Sequence, residues 1–182
     1  RLWGRKENGI KFKLKNILLN RRVFSLLNDD FNELKSLIAF KPDYIYGYSS
    51  LILNSIKILK KYGVPAPKVK AIICTAENIS NFQISQIEEF YKTNVAVEYG
   101  CTEFDIIAYK YSTGAYEIVN PNLILENSEC GVLVSDLSSG FEGFVRYCLG
   151  DSVTFSATKE MYTFGDKIEA INGRSSGQLV EL

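Results

Sequence analysis

Between Tyr44 and Gly100 the chain alternates apolar strand-like runs with helical periods, and that order constrains the fold more than any other feature. YIYGY at 44–48 is short, aromatic and strand-like. Leu51, Ile52, Ser55, Ile56, Leu59 and Tyr62 then recur on one helical flank, with Lys57, Lys60 and Lys61 on the other and Gly63 as a stop. VKAIICTA at 69–76 is too apolar for a half-exposed strand and reads as covered on both faces. Ser80 and Gln83 fit a capping box, and Ile84, Ile87, Phe90 and Tyr91 make the next buried stripe, with Glu88 and Glu89 facing water. NVAVEYG at 94–100 returns as a strand. Strand–helix–strand–helix–strand implies crossovers and a parallel sheet.

Upstream, Phe31, Leu34, Leu37 and Ile38 recur at helical spacing behind Asn28, Asp29 and Asp30, and Pro42 closes that helix. Residues 1–24 are harder to place. KFKLK alternates like a strand, and ILLN extends it or turns away. Eight Lys and Arg residues make this segment basic, from Arg1 to Arg22, and such a run usually marks a solvated face. Ser49 or Ser50 suits the N-cap of the helix after YIYGY.

After Tyr99 the rhythm changes. IIAYKY, YEIV, LILE, GVLVSDL, FVRYCLGDSVTF, KIEAING and QLVEL follow at short spacing, punctuated by glycine. This half reads as an antiparallel sheet or small barrel. The expected organisation is an α/β lobe over 1–112 and an antiparallel β lobe over 113–182.

The formal net charge is zero, from 21 basic and 21 acidic residues, so nothing global draws the chain to nucleic acid. No run is long enough to span a bilayer. Histidine is absent, which removes any Ser-His-Asp or Cys-His relay and leaves poor material for zinc. Cys74, Cys101, Cys130 and Cys148 are scattered, and reduced cytosolic thiols are the simplest account of them. The chain opens on RLWG and closes on GQLVEL, which reads as a piece of a longer protein.

Three glycine turns hold the candidate chemistry. YGCTEFD, 99–105, follows a parallel strand, where ligands of open α/β sheets bind. Tyr99 offers a flat face, Thr102 a hydroxyl and Glu103 a hard oxygen. RYCLGD, 146–151, ends in an acid that could accept two ribose hydroxyls, and Arg146 could brace the turn or meet a phosphate. In INGRSS, 171–176, Arg174 could reach a ligand. Singly, each is as readily an ordinary turn.

In this order, with RLWG, KPDYIYGYSS and GVLVSDL, the turns resemble the adenylate-forming enzyme superfamily. The branch they resemble comprises phenylacetate–CoA ligases, coenzyme F390 synthetases and capsular polysaccharide biosynthesis proteins. The resemblance implies the central part of the large N-terminal domain of such an enzyme: a partial parallel sheet with flanking helices, then an antiparallel β lobe ending at a hinge. It implies ATP-dependent activation of a carboxylic acid as acyl-AMP, with Mg²⁺, and transfer to coenzyme A in many members. Tyr99, Gly100 and Cys101 would flank the adenine, Thr102 would bind the α-phosphate and Glu103 would hold the metal. Asp151 would take the ribose hydroxyls, and Arg174 the ribose or phosphate. Thr75, Ala76 and Glu77 would wall the acyl or adenine pocket. The thiols suit a cytoplasmic location, and apolar surface exposed in a piece of a longer protein would allow a homo-oligomer.

Three features depart from the family pattern. The Ser/Thr/Gly phosphate loop and the lysine-bearing C-terminal domain are outside this chain. Gly177 stands where the hinge acid is usual. A non-catalytic scaffold, and a nucleotidyl- or sugar-processing enzyme of a capsule pathway, are the competing readings.

Overall fold

The computed structural model describes residues 1–4, 9–26, 30–138 and 143–174. They form two compact units, Arg1–Val97 and Glu98–Leu182. The division falls inside a strand, ahead of residues 112–113 where the sequence rhythm puts the lobe change.

The first unit runs α1 (Ile10–Leu18), α2 (Phe31–Phe40), β1 (Tyr44–Tyr48), α3 (Ser49–Lys61), β2 (Ala71–Thr75) and α4 (Asn81–Tyr91), then enters β3 (Asn94–Cys101). β1 pairs parallel with β2 in register from Tyr44–Ala71 to Tyr48–Thr75, and β2 pairs parallel with β3. This is the parallel sheet that the strand–helix alternation implies. Its core includes Ile45, Ile52, Leu59, Ile72, Ile84 and Ile87, each at most 2% exposed. Burial of a Leu or Ile side chain stabilises by about 1.5–3 kcal/mol. Ser55 and Tyr91 pair their hydroxyls where α3 meets α4, so the polar atoms in this seam are satisfied.

Local signals explain several boundaries. Asp30 caps α2 by accepting from the Glu33 amide at 3.0 Å. Asn28 and Asp29 lie outside the described residues. Ser80 and Gln83 close the expected capping box on α4. Ser80→Ala is expected to cost about 1 kcal/mol in urea unfolding; an unchanged midpoint would show the box to be dispensable.

Three expectations need correction. KFKLK is not a strand but part of α1. The segment satisfies both periods, since Ile10, Leu14, Ile17 and Leu18 also recur on one helical face. Neither serine caps α3: Tyr48 is its N-cap, without a side-chain bond, and Ser49 and Ser50 are already helical. Glu88 is half-buried rather than a plain solvent residue, and its carboxylate accepts from the Val95 amide at 3.2 Å.

The second unit holds the end of β3 and strands β4 (Asp105–Tyr111), β5 (Tyr116–Ile118), β6 (Leu123–Ser128), β7 (Gly131–Asp136), β8 (Tyr147–Cys148), β9 (Asp151–Phe155) and β10 (Lys167–Arg174). β4, β5, β10 and β9 lie side by side in that order, all antiparallel. β6, β7 and β8 form a separate antiparallel sheet. The antiparallel lobe is therefore as expected. QLVEL, its anticipated last strand, lies outside the described residues. β10 carries two register shifts against β9, between Ile168 and Ala170 and between Ile171 and Gly173. Past the second shift, Arg174 faces Asp151 across the ladder.

Candidate nucleotide site

YGCTEFD is the turn that joins β3 to β4. Asp105 enters β4 with a left-handed backbone, φ 55°. Phe104 is buried and meets Phe144 and Tyr147 edge-on, at 5.3 and 5.8 Å between ring centroids. The aromatic anchor holds the turn while Thr102 and Glu103 stay exposed.

Asp151 begins β9 just after Gly150, whose φ is 72°. Its carboxylate is gripped from two sides. The Tyr99 hydroxyl donates to Oδ2 at 3.0 Å, and the Arg174 guanidinium meets Oδ1 at 3.0 Å. Arg174 also donates to the Leu149 carbonyl at 2.9 Å. The Asp151 side chain is only 15% exposed and that of Arg174 is 68% exposed. Residues from three separate motifs thus converge on one carboxylate. A carboxylate has about four lone-pair positions, and this grip uses two, one on each oxygen.

Tyr99 is 7% exposed and meets Tyr116 edge-on at 6.4 Å. The flat face that the sequence offers for stacking is therefore largely covered. Its hydroxyl orients Asp151 instead. Burial, followed by the neighbouring Asp151 charge, pushes the Tyr99 phenol far above its ordinary range, so it stays a donor.

Glu103 lies within reach of the Arg174 charge. Tyr147 donates to its carboxylate at 3.4 Å. Its own backbone amide and the Cys101 thiol hold its carboxyl below the usual range, with help from Tyr147 and the Arg174 charge. The exposed carboxylate is ionised at neutral pH. Cys101 is half-buried, and burial raises its thiol pKa. Gly100 approaches the backbone of Asp105 too closely for any side chain.

Thr75, Ala76 and Glu77 belong to the first unit. They leave the carboxyl end of β2, with Thr75 buried and Ala76 at φ 62°. Glu77 accepts from the Ser50 amide at 2.7 Å and the Ser50 hydroxyl at 2.9 Å. It places a negative charge on the first turn of α3, where the helix dipole favours one. That contact serves the helix start that neither serine caps.

Arg146 braces its turn. Its amide donates to the Ser135 hydroxyl at 2.9 Å, and its guanidinium lies 3.6 Å from Glu126. Ser175, Ser176 and Gly177 lie outside the described residues. Sequence reasoning missed Tyr147, although it sits inside RYCLGD. It also missed a disulfide between Cys130 and Cys148, which corrects the expectation of four reduced thiols. The two residues are 18 positions apart; β7 pairs Cys148 with Leu133, and Cys130 lies in the turn just ahead of β7. Cys74 and Cys101 are free.

The fold is the N-terminal-domain architecture of adenylate-forming ligases. A 2-hydroxyisobutyryl-CoA ligase, solved in its postadenylation state, superposes with a TM-score of 0.69 at 13% identity, over 91% of this chain and 40% of that one. Coronafacic acid ligase from Pectobacterium brasiliense gives 0.55 at 13%, over 87% and 35%. The Vibrio cholerae adenylation domain AlmE gives 0.55 at 12%, over 96% and 40%. The chain thus spans about two-fifths of the length of the structures it matches. No family model and no curated protein matches the sequence.

Proposed function

We propose that this chain supplies the nucleotide-holding face of a ligase that joins a carboxylic acid to AMP and releases pyrophosphate. The observation that carries the reading is the Asp151 carboxylate, oriented by Tyr99 and Arg174 with acceptor capacity to spare. A ribose diol presents two donors at the spacing of one carboxylate. Tyr99 and Arg174 would keep the Asp151 carboxylate aimed, so little reorganisation accompanies binding. Arg174, mostly exposed, carries charge toward the same side and suits a ribose or phosphate oxygen.

The β3–β4 turn complements this. Thr102 offers a hydroxyl to an α-phosphate, and Glu103 offers an ionised oxygen. Among the described residues no cluster of three or more metal-ligating side chains occurs. One exposed carboxylate nevertheless fits Mg²⁺, which is commonly held by one or two carboxylates and the substrate's phosphates. When bound, magnesium would offset the phosphate charge. Solved proteins of this fold support the class: the 2-hydroxyisobutyryl-CoA ligase was crystallised with 2-HIB-AMP and CoA, and AlmE with glycyl-adenosine-5'-phosphate.

The finer reading is a ligase of the phenylacetate–CoA ligase and capsular branch, working in the cytoplasm and passing its acyl group to coenzyme A. It rests on RLWG, KPDYIYGYSS and the three ordered turns. In that scheme Gly100 and Cys101 would lie along the adenine.

Calorimetric titration of the chain with AMP tests the reading. Wild type should bind, and Asp151→Ala should bind at least about 30-fold more weakly, since losing a hydrogen-bonded charge costs about 2–5 kcal/mol. Equal heats from both proteins, or none from wild type, would remove the nucleotide assignment.

A further inference from the structure

Helix α1 wears its apolar stripe outward. Ile10, Leu14, Ile17 and Leu18 are 79, 61, 76 and 86% exposed, and no residue of the helix is buried. Their i, i+4, i+7, i+8 spacing puts them on one face. A surface helix of a globular domain normally turns such a stripe into the core. Here the half-buried positions are Phe12 and Asn16, on the opposite side, and Asn16 accepts from the Arg21 side chain at 2.9 Å.

The charges follow the stripe. At about 100° per residue, Lys11 falls at one edge and Lys13 at the other, with Lys15 beyond Lys11. No acidic residue occurs from Gly9 to Arg22. Beside the stripe lies an open hollow of about 480 Å³ whose lining includes Lys13, Asn16, Arg21 and Arg22. An apolar stripe flanked by lysines, with a cationic hollow next to it, complements a surface that is apolar inside and anionic at its rim. Lysine stems can lie along the apolar layer while their ammonium groups reach outward. A second copy of α1 would instead oppose lysine rows with no carboxylate between them. At nine residues the helix is far too short to cross a bilayer.

We propose that α1 is a membrane-surface anchor. It lies flat on anionic lipid, with Ile10, Leu14, Ile17 and Leu18 at the acyl boundary. Lys11, Lys13, Lys15 and Arg22 meet the phosphate headgroups. The zero net charge of the whole chain hides this local basic face. The proposal is independent of the nucleotide reading.

Flotation with vesicles tests it, using phosphatidylcholine alone or mixed with about a third phosphatidylserine, at low and high salt. Wild type should float with the mixed vesicles at least about tenfold more than with the neutral ones, and lose that excess at high salt. Leu14→Glu/Ile17→Glu should stay with the soluble fraction. Lys11→Gln/Lys13→Gln/Lys15→Gln should lose the preference for anionic vesicles. All the substituted side chains are exposed, so circular dichroism and AMP binding should not change. Flotation of the Leu14→Glu/Ile17→Glu variant equal to wild type would overturn the proposal. So would absence of wild-type flotation, including the case where the same stripe drives self-association in light scattering.

Discussion

Gly100→Ala is expected to destabilise the second unit by about 3 kcal/mol or more. A Cβ at this position would lie 2.1 Å from the Asp105 carbonyl oxygen, 3.0 Å from its carbonyl carbon and 3.1 Å from the Ile106 Cα. All three are backbone atoms of the β4 start, so no rotamer change relieves the contact. Overpacking usually costs 1–3 kcal/mol where side chains can give way, and here they cannot. Accommodation requires β3 and β4 to separate at the turn that presents Thr102 and Glu103. Urea unfolding followed by tyrosine fluorescence measures the effect. A midpoint within about 0.5 kcal/mol of wild type would show that the turn is looser than this geometry.

Gly131→Ala should follow closely, at about 2–4 kcal/mol, by a different route. Gly131 has φ 109°, a conformation costing a side-chain-bearing residue about 1–3 kcal/mol. Its Cβ would also lie 2.7 Å from the Asp151 carbonyl oxygen and 3.0 Å from the Asp151 nitrogen. The start of β7 therefore packs directly on the backbone of the proposed ribose-binding residue. Two losses are expected together: a lower unfolding midpoint, and AMP affinity reduced even where the protein remains folded. A variant of unchanged stability that binds AMP normally would refute the packing and its link to the site. Nearby, the Cys130–Cys148 disulfide ties the turn before Gly131 to the strand before Asp151. Backbone contact and covalent link thus act on the same few residues.

Much of the first unit was legible in the chain itself. β1, β2, β3 and α4 are set by local patterns: an aromatic or β-branched run, a helical stripe, a capping box. Such signals span a few residues and need no distant partner. The antiparallel character of the second unit was legible for the same reason, through short alternating runs between glycines. KFKLK misled because one segment satisfied two periods, and nothing in it shows which surface is available.

What only the tertiary structure decided concerns distance across the fold. The sequence names Tyr99, Asp151 and Arg174 as separate turn residues, but not that the first and last grip the second. Register shifts on β10 carry Arg174 opposite Asp151, and such shifts leave no local mark. The Cys130–Cys148 pair, the buried face of Tyr99 and the service of Glu77 to α3 are likewise products of strand pairing and packing. So is the outward stripe of α1. Residue spacing can say that Ile10, Leu14, Ile17 and Leu18 share a face; only the packing of the other face decides that this one meets the outside.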